Sequence, residues 1–214
     1  MRSIGLLCAL AALLLFPLPV LAAQAAQPGA PAKTVPAARP APAAVWNIDP
    51  DHSSVNFTVR HIFAKIPGRF AAFSGTIRFD PENLAGSAIE VAITSASVDT
   101  HVAKRDDHLR TPEFFDAARY PVITFSSRNI VHKGGDSYAA QGTLTIKDVS
   151  KEFTLPFTYL GQEKNPLDQA KTVAGFEALF PITLLDYHLG DGKWQKLGAM
   201  GDTADVALYM ELLR

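Results

Sequence analysis

The sequence predicts an all-β fold, an antiparallel barrel or sandwich of about eight strands with one short helical insertion. Three observations carry this prediction: apolar and polar residues alternate in run after run, turn residues separate the runs, and a single stretch breaks the alternation. The 214 residues are 48% hydrophobic and carry a formal net charge of -1, which suits one domain with a real core. That balance argues against a nucleic-acid partner, which needs a surplus of Lys and Arg to displace counterions from phosphates.

Residues 1–25 read as a cleaved signal peptide. Arg2 supplies the positive charge, Leu6 to Leu21 the apolar run, and Ala22, Ala23 and Ala25 the small residues of a cleavage site. The run is shorter than the roughly 20 residues of a spanning helix, and Pro17 and Pro19 interrupt its end. A periplasmic location is the expectation. The one cysteine, Cys8, falls inside this leader, so the domain is expected to use neither disulfides nor cysteine-bound metals. Residues 26–44 read as a linker: from Gln27 to Ala44, 12 of 18 residues are Pro or Ala, a composition that favours extended polyproline II and cannot build a core. The domain is expected over 45–214.

Ser54 to His61 is the clearest strand, with Val55, Phe57 and Val59 on one face and Asn56, Thr58 and Arg60 on the other. The same period of two places Phe73, Gly75, Ile77 and Phe79 on one face, then Ile89, Val91 and Ile93, then Ile123 and Phe125. It continues through Tyr138, Ala140, Gly142, Leu144 and Ile146, through Phe153, Leu155, Phe157 and Tyr159, through Ala174 to Ile182, and through Val206 to Leu212. Asp80 to Asn83, Lys133 to Asp136 and Gly161 to Pro166 are the turn signals between them. Lys104 to Ala118 departs from the period and predicts one or two helical turns broken around Thr111 and Pro112.

The polar residues of that stretch bear on chemistry. Asp99, His101, Asp106, Asp107 and His108 are of metal-ligating types, but they fit no compact ligand spacing, and Arg105 and Arg110 lie among them as ion-pair partners, so no metal is expected. Glu113, Asp116 and Asp186 are the carboxylates a glycoside hydrolase would need, without a spacing that pairs them. No G-x-S-x-G elbow, H-E-x-x-H helix or phosphate-binding glycine loop occurs. The protein is therefore expected not to be an enzyme. The inward faces mix bulky Phe with small Gly and Ala, which fits either a solid core of large-into-small packing or aromatic walls around a gap.

A run of motifs narrows the choice. D-x-x-H-S-x-V-x-F-x-V-x-H (Asp49 to His61), F-x-G-x-I-x-F-D (Phe73 to Asp80), S-x-D-T (Ser97 to Thr100), R-D-x-H-L-R-x-x-x-F-F-D (Arg105 to Asp116), Y-P-x-I-T-F-x-S (Tyr120 to Ser127) and L-D-Y-x-L-G-x-G-x-W (Leu185 to Trp194) follow in this order. Over Trp46 to Leu213 the chain resembles the YceI-like family of secreted bacterial proteins. The resemblance implies a lipocalin-like antiparallel barrel, in many members a homodimer, whose apolar tunnel binds a polyisoprenoid or an isoprenoid quinone as ligand, with no cofactor and with transient membrane contact. Face assignment by alternation would then line the tunnel with Val55, Phe57, Val59, His61, Phe73, Ile77, Phe79, Val91, Ile93, Ile123, Phe125, Leu144, Phe153, Phe157, Phe176 and Ala178, His61 being the polar member that orients a ligand. A filled barrel acting in envelope stress or protein interaction is the alternative. Leu184 and His188 depart from the family pattern, which commonly has an arginine and a glycine there, so this strand end is less basic and its turn bulkier.

Overall fold

A computed structural model describes residues 41–214. The expected leader, and residues 26–40 of the expected linker, lie outside the described residues. Eleven strands occur: β1 (Val45–Ile48), β2 (Ser54–His61), β3 (Ala64–Phe70), β4 (Phe73–Arg78), β5 (Ala88–Thr94), β6 (Val98–Asp99), β7 (Val122–Gly134), β8 (Ser137–Ile146), β9 (Val149–Lys164), β10 (Thr172–Thr183) and β11 (Thr203–Leu213). They form one sheet in which every neighbour is antiparallel. Because β1 pairs with β4 on one side and with β11 on the other, the sheet closes on itself. The segments β1 with β2, β3 with β4, and β5 with β6 each act as one interrupted stave, so the eleven strands make a closed eight-stave barrel. Closure removes the unpaired edges that an open sheet would expose.

Strands whose alternation is uninterrupted lie where the sequence puts them, and β2 does so to the residue. The three that periodicity misses are short or irregular. β3 reads Ala-Lys-Ile-Pro-Gly-Arg-Phe, and its Pro67 argues against a central strand. It is tolerated because β3 meets β6 only at Arg69 and Phe70, leaving one side without a ladder along Pro67. Gly161 is not the start of a turn as expected: at φ 108° it lies within β9 opposite Gly175, beside a register shift, and the strand runs on to Lys164. The linker's last residues are also more engaged than their composition predicts. Ala43 is buried and donates its N–H to the Gly86 carbonyl at 2.9 Å, and Asn83 Nδ2 donates to the Ala41 carbonyl at 3.0 Å.

The helical insertion is α1 (Ala103–Leu109) and the loop after it, and a second helical turn, α2 (Lys193–Lys196), lies between β10 and β11. The R-D-x-H-L-R block explains how α1 is held. Asp106 is buried and accepts from the backbone N–H and hydroxyl of Thr100 at 2.8 and 2.5 Å. Arg105 donates to the Thr100 hydroxyl and carbonyl at 2.7 and 2.8 Å. Arg110 donates to the carbonyls of Ala96 and Val98, both at 2.8 Å, covering backbone groups near β6 that no strand pairs.

Candidate functional site

The interior of the barrel has two unlike halves. Near the turns joining β4 to β5, β7 to β8 and β9 to β10, it is filled. Phe79 is 2% exposed and its ring meets Tyr138, Phe157, Tyr159 and Phe176 with centroids 5.2 to 5.6 Å apart. Trp46 closes this end, donating its indole N–H to the Phe79 carbonyl at 3.0 Å under the guanidinium of Arg214. The other half encloses a cavity of about 460 Å³.

Val55, Phe57, Val59, His61, Val91, Ile93, Ile123, Phe125, Leu144 and Phe153 line this cavity as the alternation expects. Phe73, Ile77, Phe79, Phe157, Phe176 and Ala178 do not, which corrects their placement in the wall. Ile77, Phe79, Phe157 and Phe176 belong to the filled half, Ala178 is buried in the core cluster, and Phe73 packs against that cluster. In place of the expected tunnel, the cavity occupies one half of the barrel and the Phe79 cluster fills the other. Leu155, Phe180, Ile182, Val206 and Leu208 also line it and obey the same alternation, so counting could have found them. Phe114, Phe115, Leu184, Leu189 and Met200 were missed for a different reason: they come from the α1 and α2 loops, which have no period.

Phe57 shows how the void stays open. Its ring lies flat over Gly68, its cross-strand partner, so closely that a Cβ at Gly68 would come within 2.3 Å of the ring. A larger residue there would push the ring into the lumen. At the open end, Arg60, His61 and His108 line the cavity and are exposed, so the pocket reaches the surface there. His61 is therefore a rim residue and not an interior one. Arg105, Thr100 and, farther along β2, Asn56 also reach the lining; the rest of it is apolar.

Glu113 pins the cap over this end. His108 Nε2 donates to it at 2.9 Å, Trp194 Nε1 at 2.7 Å and Lys193 Nζ lies at 3.0 Å, while the Glu113 carbonyl accepts from Gly190 N–H at 2.8 Å. The His108 bond first, then those of Trp194 and Lys193, hold the carboxyl down at about 2. The other carboxylates considered for catalysis are elsewhere: Asp186 pairs with Lys151 at 3.3 Å, and Asp116 has φ 45° in the turn after Phe115. Asp99, Asp107 and His108 engage Arg69, Arg110 and Glu113, so the histidines and acids around α1 form ion pairs and caps. The metal-type side chains that do converge, Asp49, His52 and Glu211, have ligand atoms within 4.8 Å of one another on the outer surface.

A YceI-like domain matches residues 46–212. The chain belongs to the YceI family. It is 39% identical over 172 residues to protein YceI of Escherichia coli, covering 79% of this chain and 86% of that one. Its fold is similar to the crystal structure of Burkholderia cenocepacia BcnA, with a TM-score of 0.70, 26% identity and coverage of 78% and 99%. It is also similar to a polyisoprenoid binding domain from Saccharophagus degradans, with a TM-score of 0.56, 18% identity and coverage of 78% and 97%. At that identity the last comparison speaks for the barrel alone. The two departures from the YceI pattern now have locations. Leu184 is buried and lines the cavity, making its capped end apolar, and His188 has φ 53°, a left-handed conformation that glycine adopts at less cost.

Proposed function

We propose that this barrel binds an isoprenoid-type amphiphile, with the apolar chain in the pocket and the polar end among Arg60, His61, Arg105 and His108. The observation that carries the reading is the pocket itself: about 460 Å³ walled mainly by aliphatic and aromatic side chains, with the basic and imidazole groups gathered at one end. Each methylene moved from water into such a wall contributes about 0.8 kcal/mol, without requiring any particular contact. The volume lies in the lower part of the roughly 300 to 1,000 Å³ range of small-ligand pockets, which suits a short prenyl chain or the tail of a long one. The Saccharophagus degradans domain that shares this barrel is named for polyisoprenoid binding, the ligand class proposed here. The leader-like residues 1–25 support a periplasmic setting, in which a prenyl quinone or polyprenyl lipid would be carried and not converted.

Native mass spectrometry and lipid extraction of protein purified from its host test this. The expected result is a co-purifying prenyl lipid, or uptake of a prenyl quinone by lipid-stripped protein at one per chain. Absence of both co-purification and uptake would overturn the reading.

A further inference from the structure

We propose that the rim of the pocket docks on an anionic bilayer, with Phe63 and Leu197 inserted at the acyl boundary and Arg60, Lys65 and Lys196 against lipid phosphates. The β2–β3 hairpin turns through Ile62 and Phe63, and the turn is unfavourable on two counts. Ile62 has φ 51°, a left-handed conformation that a β-branched residue rarely adopts and that a two-residue hairpin normally gives to Gly, Asn or Asp. Phe63 is 99% exposed, so its ring gains nothing from the fold. Neither choice helps the free protein, whereas a ring and a branched side chain at a loop tip suit an apolar phase.

The tip is part of a larger ledge. Ile62 N–H donates to the Ala199 carbonyl at 3.2 Å, and Gly201 N–H donates to the Arg60 carbonyl at 2.9 Å, joining the hairpin to the segment after α2. Leu197, 75% exposed, lies on that segment. Both segments of the ledge carry cations, and the second is bounded by the exposed Asp191 and Asp202. No acidic residue occurs between Asp51 and Asp80, and none between Asp191 and Asp202, while Arg60, Lys65 and Lys196 are exposed. Lys193 is the cation of this ledge already engaged, by Glu113 and Asp191. Arg60 donates to the Ile62 carbonyl at 2.7 Å, and an apolar tip flanked by cations that no carboxylate pairs among the described residues complements an anionic lipid surface. Arg60 and His61 also line the pocket mouth, so docking would place that mouth against the bilayer. The inference rests on the isoprenoid reading only for what would pass through the mouth.

Co-sedimentation of the exported protein with phosphatidylglycerol/phosphatidylcholine vesicles, without prenyl lipid, tests the docking alone. Binding to these vesicles, weak binding to pure phosphatidylcholine and a decline with added salt are expected. The double variant Phe63→Ser, Leu197→Ser should bind at least about tenfold more weakly. Leu167→Ser removes a still more exposed leucine, 96%, at the filled end and should change nothing. Indifference of the wild type to anionic vesicles, or undiminished binding by the double variant, would overturn the proposal. So would a wild-type dimer that the double variant dissociates with no vesicle binding, which would make the ledge a contact between copies. Prenyl-quinone uptake by the double variant, delivered in detergent, is scored separately, so failure of the ligand reading and failure of docking are distinguishable.

Discussion

The two halves of the barrel are built on the same eight staves, yet one is solid and the other hollow. At the filled end the staves present large rings at matching heights, so Phe79 meets four aromatic neighbours and Trp46 is 2% exposed. At the open end β2, β5, β10 and β11 contribute Val55, Val59, Val91, Ile93, Ile182, Ala204 and Val206, which stop short of the axis. The bulky Phe57 there lies flat against Gly68. The contrast teaches that hollowness in a barrel of this size is a matter of side-chain reach at each level, not of strand number. The filled half also offers the stability that an open pocket forgoes.

Substitutions can sharpen that contrast. The largest difference is expected between Phe79→Ala, which should cost about 3–5 kcal/mol because four rings lose their partner, and Leu155→Ala, which should cost nearer about 1 kcal/mol because one side already faces the void. Urea unfolding of the two variants reads both; equal losses would mean the cavity is packed in solution. Enlargement should show the converse. Ala174→Leu, at a position 1% exposed in the filled half, should destabilise by about 1–3 kcal/mol, while Val206→Phe in the pocket wall should change stability little and abolish ligand uptake.

A smaller effect concerns the cap. Glu113 has its carboxyl held at about 2, below its ordinary 4.5. A depressed carboxyl stabilises the fold fully above its unfolded value and loses that contribution as pH falls through the folded one. Stability should therefore drop between pH 4.5 and about 2, and Glu113→Gln should flatten that segment of a urea-midpoint profile while lowering the plateau above it. The smallest stability change is expected for Gly68→Ala: the displaced atoms are the far end of the Phe57 ring, so the ring swings into the lumen and stability moves by no more than about 1 kcal/mol. Its readout is reduced uptake of a prenyl quinone; unchanged uptake would remove Gly68 from the account of why the pocket is open.

Much of this was legible before folding. Strict alternation located β2 to the residue and set the inward side of β4, β5 and β7 to β11. The α1 block announced itself as a break in period with basic and acidic residues in ion-pairing positions. What alternation missed was irregular by necessity: β3 carries Pro67 and Gly68, β6 is two residues long, and the cap residues Phe114, Phe115, Leu184 and Leu189 sit in loops. Four of the six misplaced wall residues, Ile77, Phe79, Phe157 and Phe176, share one cause. Period two reports the face of a strand but not the height of a residue along the barrel, so Phe153 and Phe157, on the same face of β9, fall in opposite halves.

The sequence by itself determined eight of the eleven strands and their inward faces, because these depend on neighbours two residues apart and on local turn chemistry. It also carried the motifs that place the chain in the YceI family. Only the tertiary structure decided that the interior is half core and half pocket. Whether a level of the barrel fills depends on the summed reach of side chains from all eight staves, and on Gly68 allowing Phe57 to lie against the wall. The rim was decided in the same way: Phe63 and Leu197 are 134 residues apart in the chain and share a ledge only because two backbone hydrogen bonds join the hairpin to the segment after α2.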